Sequence, residues 1–401
     1  MPEVHSFPEG FLWGATTGSH QTEGNNIASD WWALENAPGS PIAEPSGDAV
    51  DSYHRWREDM DLLAGAGLTD YRFGIEWSRI EPADGRISRA SVQHYRRMVE
   101  YAIGLGIRPM PTLFHFTVPL WFQTSGGWAR PDAVERFLRY VDALAPVLEA
   151  GVERVETVNE PNVFAALPAI TAGGGDLSGG LPVPDAGLSA RMIQLHDAVR
   201  DHLKRNHPRI LTGWGVSVQD YQPLPGAEDL VGRYAGPRDE VFLEAANGDD
   251  WVGVQAYSRG LIAAVDGQPV ARTATGVPLT QTGWEYYPAA LGGAVRRAAS
   301  IVGDVPIIVT ENGVATADDK ARIAYTTQAL RSLGEAMDSG VDVRGYLHWS
   351  LLDNYEWGHW EPTFGLVAVD RATFERHPTP SLAWLGSCAP ARRVAGIAEP
   401  G

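Results

Sequence analysis

Short runs of apolar and β-branched residues recur along the chain, and stretches with helical spacing lie between them. The runs predict eight strands, at residues 11–16, 71–77, 109–114, 155–159, 210–218, 251–257, 306–310 and 343–351. The intervening pattern predicts helices, among them residues 50–66, 92–105, 131–150 and 323–339. In the first of these, Trp56, Met60 and Leu63 fall at steps of four and three, which places them on one helical face.

Alternation of eight strands with helices is typical of a parallel (β/α)8 barrel, an α/β fold. A length of 401 residues also allows two or three domains, but no Pro/Gly-rich linker divides the chain. We therefore predict a single (β/α)8 domain over residues 1–390 and a C-terminal tail over residues 391–401. The Gly-rich stretch at 172–180 is interpreted as a loop, because it lacks the Lys-Ser/Thr of a phosphate-binding motif.

The composition narrows the range of partners. Lys and Arg number 32 against 50 Asp and Glu, which gives a formal net charge of −18. Such a surface repels nucleic acid and anionic lipid, so neither is expected as a partner. The single cysteine, Cys388, excludes an intramolecular disulfide and a zinc site built from several thiolates. The first residues lack a signal-peptide pattern and no apolar run reaches about 20 residues, so a cytoplasmic protein is expected.

Polar residues are frequent at the C-terminal ends of the predicted strands. In a (β/α)8 barrel these ends form the active site. Two carboxylates stand out there. Glu160 follows a β-branched run, and Pro161 ends its strand because proline has no N–H to donate. Glu311 follows an apolar run and precedes an Asn-Gly pair, which favours a turn. The alternative interpretation is that each carboxylate caps the next helix or pairs with Arg72.

Two carboxylates on opposite sides of a pocket are what cleavage of a glycosidic bond requires. One protonates the leaving oxygen, and the other attacks the anomeric carbon or activates water. Aromatic residues favour the same chemistry, because sugar rings present flat C–H faces that pack on indole. Of the fourteen Trp, we place Trp77, Trp349 and Trp357 at the rim. Core packing is the alternative for any one of them, and it is our interpretation of Trp13, Trp56 and Trp384.

Other chemistries find less support in the sequence. No His-Glu-x-x-His motif is present, and His20, His115 and His348 lie on or near different elements, so no metal site is expected. A Ser-His-Asp hydrolase needs Gly-x-Ser-x-Gly at a strand-to-helix turn, and residues 215–219 do not match it. A sugar-binding protein with a lapsed active site would lack one of the two carboxylates, and both are present.

At these residues the chain resembles glycoside hydrolase family 1, the retaining β-glucosidases and their relatives. The resemblance runs from Phe7 to about Trp384, which is nearly the whole chain. Two signature segments carry it, Thr-Val-Asn-Glu-Pro at 157–161 and Val-Thr-Glu-Asn-Gly at 309–313. Further matching segments lie at 71–73, 283–285 and 349–357.

The resemblance implies a role for each matching residue. Glu160 becomes the general acid/base and Glu311 the nucleophile, with carboxyl carbons about 5–5.5 Å apart, as in a retaining enzyme. Arg72 and Tyr257 support the nucleophile, and a low pKa is expected for a carboxylate beside Arg72. Asn159 supports the nucleophile too and holds the sugar 2-hydroxyl. The resemblance also implies four residues that bind the sugar hydroxyls, namely Gln21, His115, Glu356 and Trp357. It implies that Trp349 stacks against the sugar ring and that Trp284 lines the aglycone side.

Three departures from the family pattern stand near this site. His20 replaces the usual Tyr before Gln21, and Gln255 replaces the usual Asn two residues before Tyr257. Thr363 replaces the usual Arg, and the segment after Trp357 that contains it is one residue shorter than in the family pattern. These changes leave both catalytic carboxylates in place, but they bear on which sugar and which aglycone the protein takes.

The resemblance implies a retaining β-glycosidase, most simply a β-glucosidase, that needs no metal or cofactor. It would hydrolyse a terminal β-linked sugar from a small glycoside by double displacement. The alternative is a transglycosidase that passes the sugar to an alcohol or natural-product acceptor. A monomer and a homo-oligomer are both compatible with the sequence.

Overall fold

Eight parallel strands close into a barrel, so the predicted (β/α)8 fold is confirmed. The structure is a computed structural model, and it describes residues 7–173 and 180–391. Within those residues the strands are β1 (Leu12–Thr17), β2 (Asp70–Gly74), β3 (Arg108–Thr112), β4 (Arg154–Asn159), β5 (Leu211–Ser217), β6 (Asp220–Pro223), β7 (Val252–Gln255), β8 (Arg259–Val265), β9 (Gln268–Arg272), β10 (Ile307–Asn312), β11 (Val343–Trp349), β12 (Val367–Val369) and β13 (Arg376–Pro378). The barrel order is β1-β11-β10-β7-β5-β4-β3-β2.

Helices surround the barrel and connect its parallel strands. In the described part of the chain the α-helices are α1 (Ser19–Thr22), α2 (Asp30–Glu35), α3 (Ser52–Ala66), α4 (Trp77–Ile80), α5 (Arg89–Gly104), α6 (Leu120–Thr124), α7 (Ala133–Ala143), α8 (Ala145–Leu148), α9 (Pro161–Ala172), α10 (Ala186–Asn206), α11 (Val231–Ala235), α12 (Val241–Ala245), α13 (Ala290–Val302), α14 (Asp319–Asp338) and α15 (Pro380–Ala391). Outside the barrel, β6, β8 and β9 form a three-stranded sheet and β12 pairs with β13.

The structure corrects two predicted elements. The helix predicted over 131–150 is two helices, α7 and α8, because Pro146 lies in the first turn of α8 and has no N–H to continue the ladder. The second barrel strand ends at Gly74, and Trp77 begins α4. The Gly-rich stretch at 174–179 and the tail beyond Ala391 lie outside the described residues.

The interior of the barrel is apolar at one end and charged at the other. At the apolar end lies a small separate cluster made by Leu12, Met110, Trp251, Ile308 and Leu347. A much larger apolar core lies between the strands and the surrounding helices. Arg72, Glu156 and Glu311 are buried inside the same barrel. Because burial of charge is costly unless it is paired, these three residues mark where the chemistry lies.

Register irregularities fall where the two predicted catalytic carboxylates leave their strands. The β4–β5 pairing shifts between Glu156 and Asn159, and the β10–β7 pairing shifts between Val309 and Glu311. Such irregularities re-aim side chains at the end of a strand. They bring the functional side chains of β4 and β10 to the same end of the barrel.

Candidate active site

The polar ends of the barrel strands form one connected set of contacts. Hydrogen bonds and ring contacts join ten of the sequence-predicted site residues, namely Gln21, Arg72, His115, Asn159, Tyr257, Trp284, Glu311, Trp349, Glu356 and Trp357. Glu160 interacts electrostatically with Glu311 in the same group. They come from strands and loops far apart in the sequence. Their convergence at the carboxyl end of the barrel is what the fold predicts.

Glu311 is 4% exposed near the end of β10, and its two carboxylate oxygens are held by different donors. Gln255 donates an amide N–H to Oε1 at 2.9 Å, and the Arg72 guanidinium contacts the same oxygen. Tyr257 donates its hydroxyl to Oε2 at 2.5 Å. Three donors therefore fix the orientation of this carboxylate, which suits an attacking group.

The pKa of Glu311 is set by opposing influences. Burial raises it above its ordinary value, while the charge of Arg72 and the hydrogen bond from Tyr257 lower it. The low pKa expected from sequence is therefore wrong, because burial and the nearby Glu156 carboxylate outweigh the guanidinium. Glu311 nevertheless has a direct cationic partner in Arg72.

Arg72 stands between two buried carboxylates. Its guanidinium contacts both Glu156 and Glu311, and it also donates to Asn159 Oδ1 at 2.9 Å. Thr112 donates its hydroxyl to Glu156 at 2.7 Å. One cation thus serves two anions, which leaves this cluster negatively charged beside the place where a positive charge develops on a sugar. Sequence analysis missed Glu156, although a charged residue within an apolar strand signals a buried partner.

Glu160 lies at the turn from β4 into α9. Its backbone is left-handed, with φ of 44°, and its N–H donates to the Gly215 carbonyl at 2.8 Å. Pro161 follows in the first turn of α9, as expected for a residue without an N–H. Burial raises the pKa of Glu160 to about 8, the negative charge of Glu311 adds to the rise, and a hydrogen bond to Ser217 opposes it. The raised pKa favours the protonated form of Glu160 near neutral pH.

The two carboxyls differ in the groups that oppose burial. Arg72 pairs directly with Glu311. Glu160 has no ion pair among the described residues, and the strongest influence that lowers its pKa is a hydrogen bond with Ser217. Because two interacting carboxyls titrate as a pair, the one with the cation loses its proton first. The pair can therefore supply one carboxylate and one carboxylic acid at the same pH.

Three residues of the site have left-handed backbones although none is glycine. They are Glu160, Phe116 at φ of 70° and Trp357 at φ of 45°. Such conformations cost of order 1–3 kcal/mol each and persist where the surrounding structure holds them. Five further non-glycine residues in the described part of the chain have positive φ, so such strain is present at this end of the barrel but is not confined to it.

A second polar cluster is centred on Glu356, which interacts electrostatically with Glu311. Gln21 donates to Asn354 at 3.1 Å and to Glu356 Oε2 at 3.5 Å. The Trp349 indole N–H donates to Glu356 Oε1 at 3.1 Å. Burial raises the pKa of Glu356 to about 8. These hydrogen bonds connect Gln21 in α1 to the segment that follows β11.

Several buried polar atoms in the site have unused hydrogen-bonding capacity. Within the described residues, Gln21 Oε1, His115 Nδ1 and Gln255 Oε1 have no hydrogen-bond partner. His115 Nε2 faces the Asn159 amide at 3.3 Å, and burial holds the pKa of its imidazole well below the ordinary value. A buried polar atom without a partner is costly, so these atoms are suited to hydroxyl groups of a ligand.

Aromatic rings line the same side. His115 stacks against Trp349 and Trp357 with centroids 6.1 and 6.0 Å apart. Trp77, however, is buried between barrel and helices, where its ring contacts Phe122 and Tyr140. Placing Trp77 at the rim is therefore wrong. The chain turns into α4 directly after β2 and carries that indole behind the barrel wall.

The Trp284 ring lies beside Tyr257, with centroids 5.5 Å apart. The next residue, Glu285, accepts two hydrogen bonds from one edge of the Arg259 guanidinium, from Nη2 at 2.8 Å and from Nε at 2.9 Å. Ser258 also donates its hydroxyl to the Glu285 carbonyl at 2.9 Å. The loop that carries Trp284 is thus tied to the two residues that follow Tyr257. Sequence analysis missed the part played by Arg259.

Two of the departures from the family pattern acquire partners in the structure. Gln255 reaches both Glu311 and Asn159, with its amide nitrogen 2.7 Å from Asn159 Oδ1. Thr363 donates its hydroxyl to Gln281 at 3.0 Å, and Arg322 donates to the Thr363 carbonyl at 3.0 Å. Gln255 therefore joins the group of residues that hold the nucleophile.

Gly215 on β5 leaves room for the buried carboxylate and amide. A Cβ at this position would lie 2.3 Å from Glu156 Oε1 and 3.0 Å from Gln255 Nε2. We expect Gly215→Ala to lower the free energy of unfolding by about 1–3 kcal/mol, measured by thermal denaturation. Gly232→Ala is the matched control, because a Cβ there would meet nothing within 4 Å. Equal melting temperatures for wild type and Gly215→Ala would contradict this expectation.

The described residues contain neither a candidate metal centre nor a candidate membrane span. Across residues 7–173 and 180–391, His, Cys, Asp and Glu side chains form no group of three that could hold a metal ion. In the same residues no helix is long and apolar enough to cross a bilayer.

Comparison with known proteins identifies relatives over nearly the whole chain. The model of glycosyl hydrolase family 1 matches residues 3–175 and 248–393. The thermostable β-glucosidase B of Thermobispora bispora is 32% identical, over 94% of this chain and 89% of its own. The crystal structure of β-glycosidase BGL167 has a TM-score of 0.87 at 39% identity, covering 98% of this chain and 100% of that one.

A second solved structure is that of a β-glucosidase from Thermotoga maritima in complex with glucoimidazole. Its TM-score is 0.89 at 25% identity, with 96% of this chain and 99% of that chain covered. The barrel, the two carboxyls and these relatives make the protein a glycoside hydrolase. The chain belongs to glycosyl hydrolase family 1.

Proposed function

We propose that the protein is a retaining β-glycosidase, and most specifically a β-glucosidase, acting on small β-glycosides. One observation carries the proposal, namely that Glu311 is paired with a guanidinium while Glu160 has a pKa raised to about 8. A carboxylate and a carboxylic acid are thus available together near neutral pH, which is the division of labour that double displacement needs. We propose residues 1–390 as one catalytic domain.

The first step forms a glycosyl ester on Glu311. The Glu311 carboxylate attacks the anomeric carbon, the bond to the leaving oxygen breaks, and the Glu160 proton passes to that oxygen. The negative cluster of Arg72, Glu156 and Glu311 favours the positive charge that develops on the sugar. Tyr257 and Gln255 hold the nucleophile in place while the bond forms.

The second step releases the sugar with its original configuration. Glu160, now a carboxylate, takes a proton from water, and the water oxygen attacks the anomeric carbon as the bond to Glu311 breaks. Two displacements at one carbon restore the β configuration. No cofactor or metal is needed, since both proton transfers use the same carboxyl.

We assign sugar recognition to the polar and aromatic side of the site. Gln21, Glu356 and His115 offer hydrogen-bonding groups to sugar hydroxyls, and the unpartnered buried atoms Gln21 Oε1 and His115 Nδ1 support this assignment. Asn159 is assigned to the 2-hydroxyl. Trp349 and Trp357 provide the aromatic surface, and Trp284 the aglycone side. The β-glucosidase names of the Thermobispora and Thermotoga relatives support glucose as the sugar.

The stereochemistry of the first product tests the retaining mechanism. We expect β-glucose to appear before any α-glucose when an aryl β-glucoside is hydrolysed, followed by proton NMR within minutes of mixing. Repeating the reaction with added methanol tests the transglycosidase alternative, which predicts methyl β-glucoside in large excess over free glucose. An α product formed first would exclude double displacement.

A further inference from the structure

Trp284 lies in a short backbone hairpin between β9 and α13, at residues 278–286. The Tyr286 N–H donates to the Pro278 carbonyl at 2.9 Å, and the Thr280 N–H donates to the Trp284 carbonyl at 2.8 Å. We call residues 278–286 the Trp284 hairpin. Because the indole is carried by a closed backbone loop, its position depends on where the hairpin is anchored.

The Trp284 ring belongs to an apolar cluster within the active site. It packs together with Tyr257 against the buried residues Ala315, Trp349 and Phe364. Trp349 is the residue assigned to stack on the sugar, and Tyr257 donates its hydroxyl to the nucleophile. The half-buried indole therefore offers apolar surface next to the place where the leaving group departs.

An ion pair anchors one strand of the hairpin. Glu285 is 8% exposed and accepts hydrogen bonds from Nη2 and Nε of Arg259. The remaining nitrogen of the guanidinium, Nη1, donates to Gln222 Oε1 at 3.0 Å. The guanidinium carbon also lies 4.0 Å from the centre of the Tyr287 ring. A two-point pair of this kind fixes the orientation of the carboxylate as well as its position.

The Arg259–Glu285 pair connects the hairpin to the chain that follows Tyr257. Arg259 begins β8, and Gln222 lies on β6 of the same three-stranded sheet. Ser258 donates its hydroxyl to the Glu285 carbonyl at 2.9 Å. The small sheet outside the barrel is therefore the base on which the hairpin and the nucleophile-holding tyrosine are held together.

A second anchor at the turn of the hairpin is more accessible to water. The Gln281 N–H donates to the Ala315 carbonyl at 3.1 Å, and the Thr363 N–H donates to Gln281 Oε1 at 3.0 Å. Gln281 is exposed, whereas Glu285 is buried. Water competes for the contacts of an exposed side chain, so the Arg259–Glu285 pair is the stronger anchor.

We propose that Arg259 and Glu285 are positioning residues that hold the Trp284 hairpin beside Tyr257, so that an apolar or aryl aglycone packs at one fixed place. The inference rests on the proposed function in one respect, that Trp284 lines the aglycone side. A hairpin that is already ordered spares the entropy cost of ordering it when a ligand binds. Loosening the pair therefore weakens binding of the aglycone and leaves binding of the sugar unchanged.

Glu285→Gln tests the proposal with little disturbance. It places an NH2 group against the Arg259 donors, while the Arg259 side chain, 21% exposed, can be hydrated. The probes are phenyl β-D-thioglucoside, which carries an aglycone, and deoxynojirimycin, which mimics the sugar alone, with Kd measured by calorimetry. We expect the thioglucoside to bind about threefold to tenfold more weakly, and deoxynojirimycin to bind as in the wild type. Unchanged thioglucoside binding, or an equal loss for both probes, would overturn the proposal.

Asp59→Asn is the matched control. Asp59 is likewise a buried carboxylate that accepts from Nε and Nη2 of one arginine, Arg376, but the pair joins α3 to β13 away from the hairpin. This variant should bind both probes as the wild type does. A selective loss of thioglucoside binding in Asp59→Asn would mean that general loosening of the fold is enough, and the assignment would then be wrong.

Two further variants show whether the pair acts through the indole. Arg259→Lys keeps the cation but loses the paired hydrogen bonds, so it should give the same selective loss as Glu285→Gln. Trp284→Ala should weaken thioglucoside binding alone, and adding Glu285→Gln to it should cost nothing more. Losses that add in full in the double variant would contradict a role through Trp284.

Hydrogen exchange gives a readout that needs neither ligand nor activity. The backbone N–H groups of Thr280 and Tyr286 should exchange about tenfold faster in Glu285→Gln, and at the wild-type rate in Asp59→Asn. Unchanged exchange in Glu285→Gln would show that the pair does not anchor the hairpin. Failure of the folded wild type to bind either probe, with exchange responding as expected, would instead overturn the proposed function.

Discussion

Replacement of Glu311 by alanine is expected to lower kcat by about four to six powers of ten. The physical reason is that Glu311 forms the covalent bond to the sugar, so its loss removes the first displacement rather than weakening a contact. Arg72, Tyr257 and Gln255 would remain but would hold no attacking group. The measurement is the steady-state hydrolysis of an aryl β-glucoside.

Azide should restore part of the lost activity in Glu311→Ala. The small anion fits the space left by the carboxylate and attacks the anomeric carbon from the same face, so α-glucosyl azide accumulates. Glu81→Gln is the matched control, because it also removes a buried carboxylate but one that contacts Trp77 and Arg139 away from the site. That control should retain wild-type kcat, and a Glu311→Ala variant that keeps one tenth of it would exclude Glu311 as the nucleophile.

Replacement of Glu160 by alanine is expected to have an effect that depends on the leaving group. Alkyl glucosides, which need a proton on the departing oxygen, should lose about 10²–10⁴-fold in kcat/KM. Dinitrophenyl glucosides need little protonation, so their kcat/KM should fall by less than about tenfold. Comparing the two substrates with one variant separates proton donation from general damage to the site. Equal losses on both would show that Glu160 is not the acid.

The pH profile follows from the same residue. Because the pKa of Glu160 is raised to about 8, its acid form is present below that value and is lost as the pH rises through it. We therefore expect the kcat/KM of the wild type to fall above about pH 8 on alkyl glucosides. Glu160→Gln should lack this limb, although titration of Glu356 in the same range can still act on KM.

The barrel and its catalytic carboxyls could be predicted because both leave local signals. Most barrel strands contain a short run of apolar or β-branched residues, and Glu160 and Glu311 stand where two such runs end. Their signature segments add specificity that spacing alone lacks. The boundaries of the elements were less certain, since Pro146 divides a helix that the apolar spacing predicts as continuous.

The remaining features depend on three-dimensional contacts that a linear pattern does not contain. Trp77 follows a barrel strand in sequence, yet the turn into α4 carries its ring into the core. The Arg72 contact with Glu156 joins residues 84 positions apart, so neither residue reveals it alone. Likewise, the approach of His20 Nε2 to Glu35 Oε2, at 3.6 Å, becomes visible only once α1 and α2 are placed together.

The pKa of Glu311 shows why a single contact does not decide an electrostatic outcome. Pairing with Arg72 suggests a low value, but the same guanidinium also serves Glu156, and burial acts on all three groups. The net direction depends on the sum of these influences, which requires coordinates. The two proposed roles rest instead on a difference in partners, since Arg72 pairs directly with Glu311 and not with Glu160.

Covalent trapping tests the central claim most directly. The wild type is incubated with 2-deoxy-2-fluoro β-glycosides of glucose, galactose and fucose that carry an activated leaving group, and its intact mass is then measured. The account predicts one added fluoro-sugar per chain, fastest with the glucosyl reagent, and peptide mapping should place it on Glu311. A folded, active protein that gains no mass, or that carries the sugar on another residue, would contradict the account.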